Sequence, residues 1–118
     1  MTKPVGPYTP IVRAGDWLIC SGQIALRDGA LIDGDPATQA RQALVNLREL
    51  LASADASMSD VAKTTVFLTD MADYAAVNDV YVEAFGDHRP ARSAVAVAGL
   101  PLGALVEVEA WALVPTDG

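Results

Sequence analysis

Two segments near the end of the sequence place a cation and two carboxylates where they could serve catalysis. Arg92 opens the run RSAVAV, and Glu107 and Glu109 lie within LVEVEAWAL. A guanidinium grips a carboxylate through two parallel hydrogen bonds, a geometry that lysine cannot reproduce. Two carboxylates between Leu and Trp are not typical of a solvated strand face, and a glutamate there could act as a base. The two segments therefore indicate a candidate site for a small anionic substrate.

A structural interpretation of the same residues remains open. Arginines in strands often form ion pairs, and this sequence offers three acidic candidates to Arg92: Asp87, Glu107 and Glu109. A glutamate at a contact between subunits could likewise satisfy backbone groups and take no part in a reaction.

The two segments are predicted to be partner β-strands, joined by a loop rich in Gly and Pro. In Arg92–Val97 a valine recurs at every second position, as in a strand with one packed face. The strand Leu105–Leu113 also alternates, with its glutamates on one face and small apolar residues on the other: Val106, Val108, Ala110 and Ala112.

The amino-terminal half predicts the first supporting elements. Two short strands, Ile11–Arg13 and Trp17–Ser21, are followed by a turn at Asp28-Gly29 and a third strand at residues 30–32. Asp35 and Pro36 are typical of a helix start. Apolar residues then follow at helical spacing as far as Ala54. The polar positions of this helix are expected to be solvated: Gln39, Arg41, Gln42, Arg48 and Glu49.

The second half predicts one more strand and one more helix. Residues 61–68, VAKTTVFL, are β-branched and aromatic, which favours a strand. Asp70 can cap a helix that runs to Phe85 and ends at Gly86. The apolar stripe of this helix is expected to comprise Tyr74, Val77, Tyr81 and Phe85.

These elements follow the order β-β-β-α-β-α-β-β in one domain, residues 1–118. Two helices of about four turns can cover one face of a mixed sheet, which gives an α+β fold. The other sheet face needs different cover, and symmetric association of sheets would supply it.

Two further positions, Gly22 and Asn78, allow two interpretations each. Gly22, in the run SGQ after a strand, could let another group approach the backbone closely or could mark a bulge. Asn78 lies beside the apolar stripe of the second helix, and it could make buried hydrogen bonds or occupy an ordinary boundary position.

Other chemically versatile residues are isolated. His88 stands alone, whereas zinc sites need several ligands, so an exposed loop histidine is expected and no metal is predicted. Cys20 lies in an apolar strand without a neighbouring base, which favours a core residue. Neither a Gly-rich phosphate loop nor a nucleophile elbow is present in the sequence.

Composition limits the classes of function. The 118 residues are 52% hydrophobic, mostly Ala and Val, and such surplus apolar surface favours an oligomer. The net charge of -7 argues against nucleic acid as a partner, because phosphates require a basic face. A single cysteine, an amino terminus unlike a signal peptide and the lack of any apolar run of ~20 residues predict a cytoplasmic protein without a membrane span.

Seven motifs together resemble the reactive intermediate deaminases, the RidA-like or YjgF-type proteins. Each motif is weak alone, but their order and spacing match the family over nearly the whole chain. They are GPY at 6–8, SGQ at 21–23, QARQAL at 39–44, VAKTTVFL at 61–68, VN at 77–78, PARS at 90–93 and VEVEA at 106–110.

The resemblance implies a chorismate-mutase-like fold and a homotrimer with ligand clefts between subunits. It also implies hydrolysis of 2-imino acids to 2-keto acids and ammonia, without a cofactor or metal. In this family pattern Arg92 would grip the substrate carboxylate and Glu107 would position or activate water. Cleft-lining roles would fall to Tyr8, Ser21, Gly22, Asn78 and the backbone of Ala94.

The chain departs from the family pattern at one position. Many members carry a cysteine where this sequence has Ala94, so thiol-dependent behaviour is not expected here. Other family members have been assigned ribonuclease, translation-inhibiting or chaperone-like activities, and the acidic composition does not favour a ribonuclease. A protein that binds 2-keto acids and signals to a partner is the alternative to the enzyme.

Overall fold

The computed structural model describes residues 4–116, which form a mixed five-stranded sheet, a short hairpin and two helices. Three single 3₁₀ turns lie at Met58–Asp60, Met71–Asp73 and Pro101–Gly103. The other elements, numbered in chain order, are β1 (Ile11–Ala14), β2 (Trp17–Gln23), β3 (Leu26–Arg27), β4 (Ala30–Leu31), α1 (Pro36–Ala52), β5 (Val61–Leu68), α2 (Tyr74–Phe85), β6 (Ala91–Ala96) and β7 (Val106–Leu113).

The large sheet has the strand order β1-β2-β7-β5-β6. All neighbours are antiparallel except β5 and β6, which run parallel because α2 forms the crossover between them. The prediction that β6 and β7 are partners is therefore wrong, since β5 lies between them. This change matters for the site, because it separates Arg92 on β6 from Glu107 on β7.

The predicted α+β layer arrangement is confirmed, with both helices on one sheet face. The interior combines the apolar face of α1 with the alternate residues of β5 and β7, among them Leu44, Leu47, Val66, Val106 and Val108. One strand was missed: Leu26–Arg27 pairs with Ala30–Leu31 in a hairpin of two-residue strands.

The helix starts follow the expected chemistry with one difference. The Asp35 carboxylate accepts a hydrogen bond from the Thr38 backbone N–H at 2.8 Å, which caps α1 as predicted. Asp70 instead caps a 3₁₀ turn by accepting from the Ala72 N–H at 2.9 Å, so α2 begins four residues later, at Tyr74. Gly86, with φ of 62°, ends α2 as expected.

Two polar side chains of α1 are buried. Gln39, predicted to be solvated, accepts a hydrogen bond from the Leu105 N–H at 2.9 Å and lies near the Ile32 carbonyl. The Asn46 amide donates to the carbonyls of Ile24 and Leu26 at 3.0 and 2.9 Å. Both side chains thus bind backbone groups of the segments beside β7 and β3, which offsets the cost of their burial.

The second face of the sheet carries large apolar side chains that the chain itself does not cover. Trp17 and Trp111 remain 37% and 42% exposed and meet edge to face, with ring centroids 5.9 Å apart. Within residues 4–116 neither helix is long and apolar enough to cross a membrane.

Candidate active site

Arg92 is held against α2 by neutral groups. Its Nη1 donates to Asn78 Oδ1 and its Nη2 donates to the Tyr74 hydroxyl, both at 2.8 Å. The guanidinium carbon also lies 4.8 Å from the ring centroid of Tyr81 and 5.4 Å from that of Tyr74. Aromatic faces attract a cation without neutralising its charge, so the arrangement fixes the guanidinium and leaves it positive.

The structural interpretation of Arg92, an ion pair with a nearby carboxylate, does not hold among residues 4–116. The one ion pair among residues 4–116 joins Arg41 to Glu83, and no carboxylate lies within 4.0 Å of the Arg92 guanidinium. Two of its five N–H donors are committed to Asn78 and Tyr74, which leaves donors for a bound anion. A partly buried cation without a counter-ion is poised to bind a carboxylate.

Asn78 and the tyrosines share one face of α2. Their spacing of four and three residues places Tyr74, Asn78 and Tyr81 above one another along the helix. The Tyr81 hydroxyl lies 2.7 Å from Thr64 Oγ1 in a buried hydrogen bond, which fixes the ring beneath Arg92. Tyr74, expected in the apolar stripe, is instead 37% exposed and binds Arg92, so its role was missed.

A cavity of about 380 Å³ opens beside this guanidinium. Its volume falls within the range of small-molecule sites. Its lining residues are Asn78, Tyr81, Val82, Arg89, Pro90 and Arg92.

Glu107 projects from β7 on the sheet face opposite the helices and is half-buried. A Cβ atom added to Gly22 would lie 2.6 Å from Glu107 Cδ, so only glycine allows this carboxyl group to rest against β2. The pairing of β2 with β7 is also irregular between Cys20 and Gln23. Both interpretations of Gly22 therefore apply, because a bulge and a close approach occur together.

Burial raises the pKa of Glu107, and the nearby charge of Glu109 raises it further. A carboxyl group with a raised pKa is a better proton acceptor than an ordinary glutamate. The Lys63 ammonium on the neighbouring strand binds the Thr64 carbonyl at 2.8 Å instead of forming an ion pair with either glutamate.

The other expected cleft residues are dispersed. The Ser21 hydroxyl donates to the Thr9 carbonyl at 2.7 Å, and this contact ties the amino-terminal segment to β2. Tyr8, in that segment, is 43% exposed and its hydroxyl accepts from the Val5 N–H. Ala94 follows Arg92 by two residues on β6, pairs with Val66 and packs against the core.

The structure thus forms two separate groups of predicted site residues. Arg92, Asn78 and Ala94 lie between the β6 edge and α2, whereas Gly22 and Glu107 lie on the opposite face of the sheet. With β5 between them, the β6 and β7 backbones are also about 9–10 Å apart at normal strand spacing. One small substrate cannot contact both Arg92 and Glu107 of the same copy.

Cys20 and His88 have structural positions. Burial raises the pKa of the Cys20 thiol to about 11, which makes it a poor nucleophile at neutral pH. The partly buried His88 ring places Nε2 2.6 Å from the Val61 carbonyl oxygen, so it is not the exposed loop histidine that was predicted. Across residues 4–116 no group of three or more His, Cys, Asp or Glu side chains could hold a metal ion.

Comparison with known proteins gives consistent matches. The family described as Endoribonuclease L-PSP matches residues 1–114. A RutC family protein of Pyrococcus horikoshii is 46% identical, over 93% of this chain and 89% of that protein. The 2-iminobutanoate/2-iminopropanoate deaminase of Mus musculus is 42% identical, over 92% and 82% respectively. The crystal structure of E. coli TdcF with bound serine has a TM-score of 0.87 at 39% identity, covering 93% of this chain and 90% of that one.

Proposed function

The chain belongs to the Endoribonuclease L-PSP family, the RidA-like or YjgF-type proteins, and from this membership we propose that it hydrolyses small 2-imino acids to 2-keto acids and ammonia. The mouse relative is named as a deaminase of 2-iminobutanoate and 2-iminopropanoate. The TdcF structure holds serine, a small molecule with a carboxylate beside an amino-bearing carbon. A nuclease is a poorer fit to a chain of net charge -7.

The observation that carries the proposal is that the Arg92 guanidinium has no negatively charged partner in the described chain. Its guanidinium is fixed by Asn78 and Tyr74, borders a cavity and has no carboxylate partner within residues 4–116. A substrate carboxylate would supply the missing negative charge through a bidentate pair of hydrogen bonds. The imine carbon, directly attached to that carboxylate, would then be held in a defined position.

The chemistry requires one water molecule and proton transfers. Water adds to the carbon of the protonated imine as Glu107 orients it or accepts its proton. Transfer of that proton to the nitrogen allows the carbon–nitrogen bond to break, the nitrogen leaves as ammonia, and the hydroxyl group formed from the water loses its remaining proton to become the keto oxygen. A protonated imine is already electrophilic, so orientation of substrate and water supplies much of the acceleration.

We further propose that the site is completed by a second copy in a homotrimer. The Arg92 and Glu107 side chains of one copy lie on opposite faces of the sheet, so a neighbour would have to bring its own Glu107, Gly22, Ser21 and Tyr8 to the Arg92 cavity. The uncovered apolar face with Trp17 and Trp111 supports association, since such surface is normally buried between subunits.

Ammonia release from imines that an amino-acid oxidase generates tests the proposal. The protein should accelerate release from imines of alanine and 2-aminobutyrate, and Arg92→Ala should abolish both acceleration and binding of pyruvate. Arg92→Lys should restore little of either, because a lysine ammonium cannot form the two parallel hydrogen bonds that a guanidinium makes to a carboxylate. Glu107→Gln should lower turnover by about 10²–10⁴ while pyruvate binding persists.

Two outcomes would contradict the enzyme. Variants of Arg92 and Glu107 that remain folded and act like the parent would leave these residues with structural roles alone. A parent protein that binds keto acids in calorimetric titration but accelerates no imine would be a metabolite-binding protein, the alternative function.

A further inference from the structure

A second guanidinium lines the cavity beside Arg92. Arg89 lies three residues earlier, before Pro90, and both arginines face the same space of about 380 Å³. The lining residues include no Asp or Glu, although the chain as a whole is acidic. Two cations and an uncharged remainder favour a ligand with two negative groups.

The position of Arg89 is fixed by backbone carbonyls. Its Nη1 donates to the Gly86 carbonyl and, at 2.9 Å, to the His88 carbonyl. His88 is itself attached to β5 through the Val61 carbonyl and packs near Phe85, with ring centroids 6.2 Å apart. The turn that carries Arg89 is therefore anchored to the sheet and to α2.

This attachment leaves the Nε and Nη2 edge of the Arg89 guanidinium without a partner in the described chain. Both of its hydrogen bonds use Nη1, and within residues 4–116 no acceptor binds Nε or Nη2. The Nε and Nη2 donors are parallel, and they form one of the bidentate pairs with which arginine binds carboxylates.

We propose that this cavity selects 2-imino acids that carry a second carboxylate. Arg92 would bind the carboxylate next to the imine carbon, and Arg89 would bind the distal one. Val82 and Pro90 supply apolar walls for the carbons in between. This substrate class rests on the proposed function, and its selectivity depends on Arg89 alone.

The test compares hydrolysis of imines from aspartate or glutamate with hydrolysis of the imine from alanine. Each imine is generated by its amino-acid oxidase, and ammonia release is measured above the uncatalysed rate. The parent should show the higher kcat/KM for the dicarboxylic imines. Arg89→Gln should lower the ratio of dicarboxylic to alanine-derived kcat/KM by about tenfold, a modest effect because Arg89 is exposed.

The matched control is Arg48→Gln. Arg48 is an exposed arginine on α1 that does not line this cavity, and its loss lowers the net charge by the same amount. The control should leave the ratio unchanged, which separates a local contact from long-range attraction of anions. An equal change in both variants would contradict a specific role for Arg89.

The result also distinguishes this inference from the proposed function. Acceleration of the alanine-derived imine without preference for dicarboxylic imines, or an unchanged ratio in Arg89→Gln, would overturn the inference alone. If no imine is accelerated, calorimetric titration with oxaloacetate and pyruvate still tests the second charge. Tighter oxaloacetate binding that Arg89→Gln abolishes would support it, and equal or absent binding of the two acids would overturn it.

Discussion

Replacement of Gly22 by alanine should disable the site while preserving the fold. The new Cβ atom would lie 2.6 Å from Glu107 Cδ, whereas ordinary contacts of Cβ atoms begin at 3.4 Å. The carboxyl group must therefore move by about 0.8 Å to reach an ordinary contact distance. A misplacement of about 1 Å can cost about 10²-fold in rate, so we expect Gly22→Ala to lower kcat by about that factor.

The same substitution should cost little stability. The displaced atoms are the end of a flexible, half-exposed side chain, and Gly22 has no positive φ that alanine would resist. The thermal midpoint should stay within about 4 °C of the parent value, which corresponds to less than about 1 kcal/mol. Calorimetric titration should show that pyruvate binding persists, because the carboxylate is held by the Arg92 guanidinium, which this substitution leaves unchanged.

The control is Gly99→Ala. Gly99 has open space where its Cβ would lie and, like Gly22, no positive φ, so this variant should keep parental turnover. Assays of ammonia release from alanine-derived imine compare both variants with the parent, after sedimentation confirms an unchanged mass. A Gly22→Ala protein with parental kcat would refute the claim that the position of Glu107 against β2 matters for turnover.

Two further predictions concern the surroundings of the same groups. If Glu107 acts as a carboxylate, activity should fall as pH drops through its raised pKa. Glu109→Gln removes the smaller cause of that shift, so the acid limb of the kcat profile should move to lower pH. An unmoved limb would exclude Glu107 as the titrating group. Ala94→Cys should leave imine hydrolysis within a few-fold of the parent, well inside the ~1.4 kcal/mol of a tenfold change, and a much larger gain would show that a thiol takes part.

Local patterns predicted most of the elements. Alternation in β7 identified its buried face, and the Asp35-Pro36 pair located the start of α1, because both signals depend on neighbouring residues in the chain. The hairpin strand at Leu26–Arg27 escaped prediction because two residues are too few to establish a period.

Long-range contacts were harder to predict from the sequence. The insertion of β5 between β6 and β7 depends on the crossover through α2, which local alternation does not encode. Gln39 is buried because its amide meets the backbone of Leu105, 66 residues away, and helical periodicity cannot anticipate such a partner. The choice between an ion pair and a binding role for Arg92 was open for the same reason, since its partners come from α2, 14 and 18 residues away.

The candidate site was predicted in part. The residue types around Arg92 and Glu107 indicated a cation and a base, and the family motifs supplied the expected cleft residues. The sequence gives no sign that one sheet separates the two groups, because that separation follows from strand order and side-chain direction together. Tyr74 escaped notice because its spacing on α2 matches an apolar stripe as well as a polar contact.

The most direct test of a site shared between copies is recovery of activity in mixed assemblies. Arg92→Ala and Glu107→Gln chains, each inactive or nearly so, would be co-expressed with different tags, and the mixed assemblies purified and verified by native mass spectrometry. If each cleft takes Arg92 from one copy and Glu107 from the next, every mixed trimer contains one cleft of three in which both residues are present. The account therefore predicts that mixed assemblies regain about one third of the parental ammonia release. Verified mixed assemblies no more active than the separate variants would contradict it.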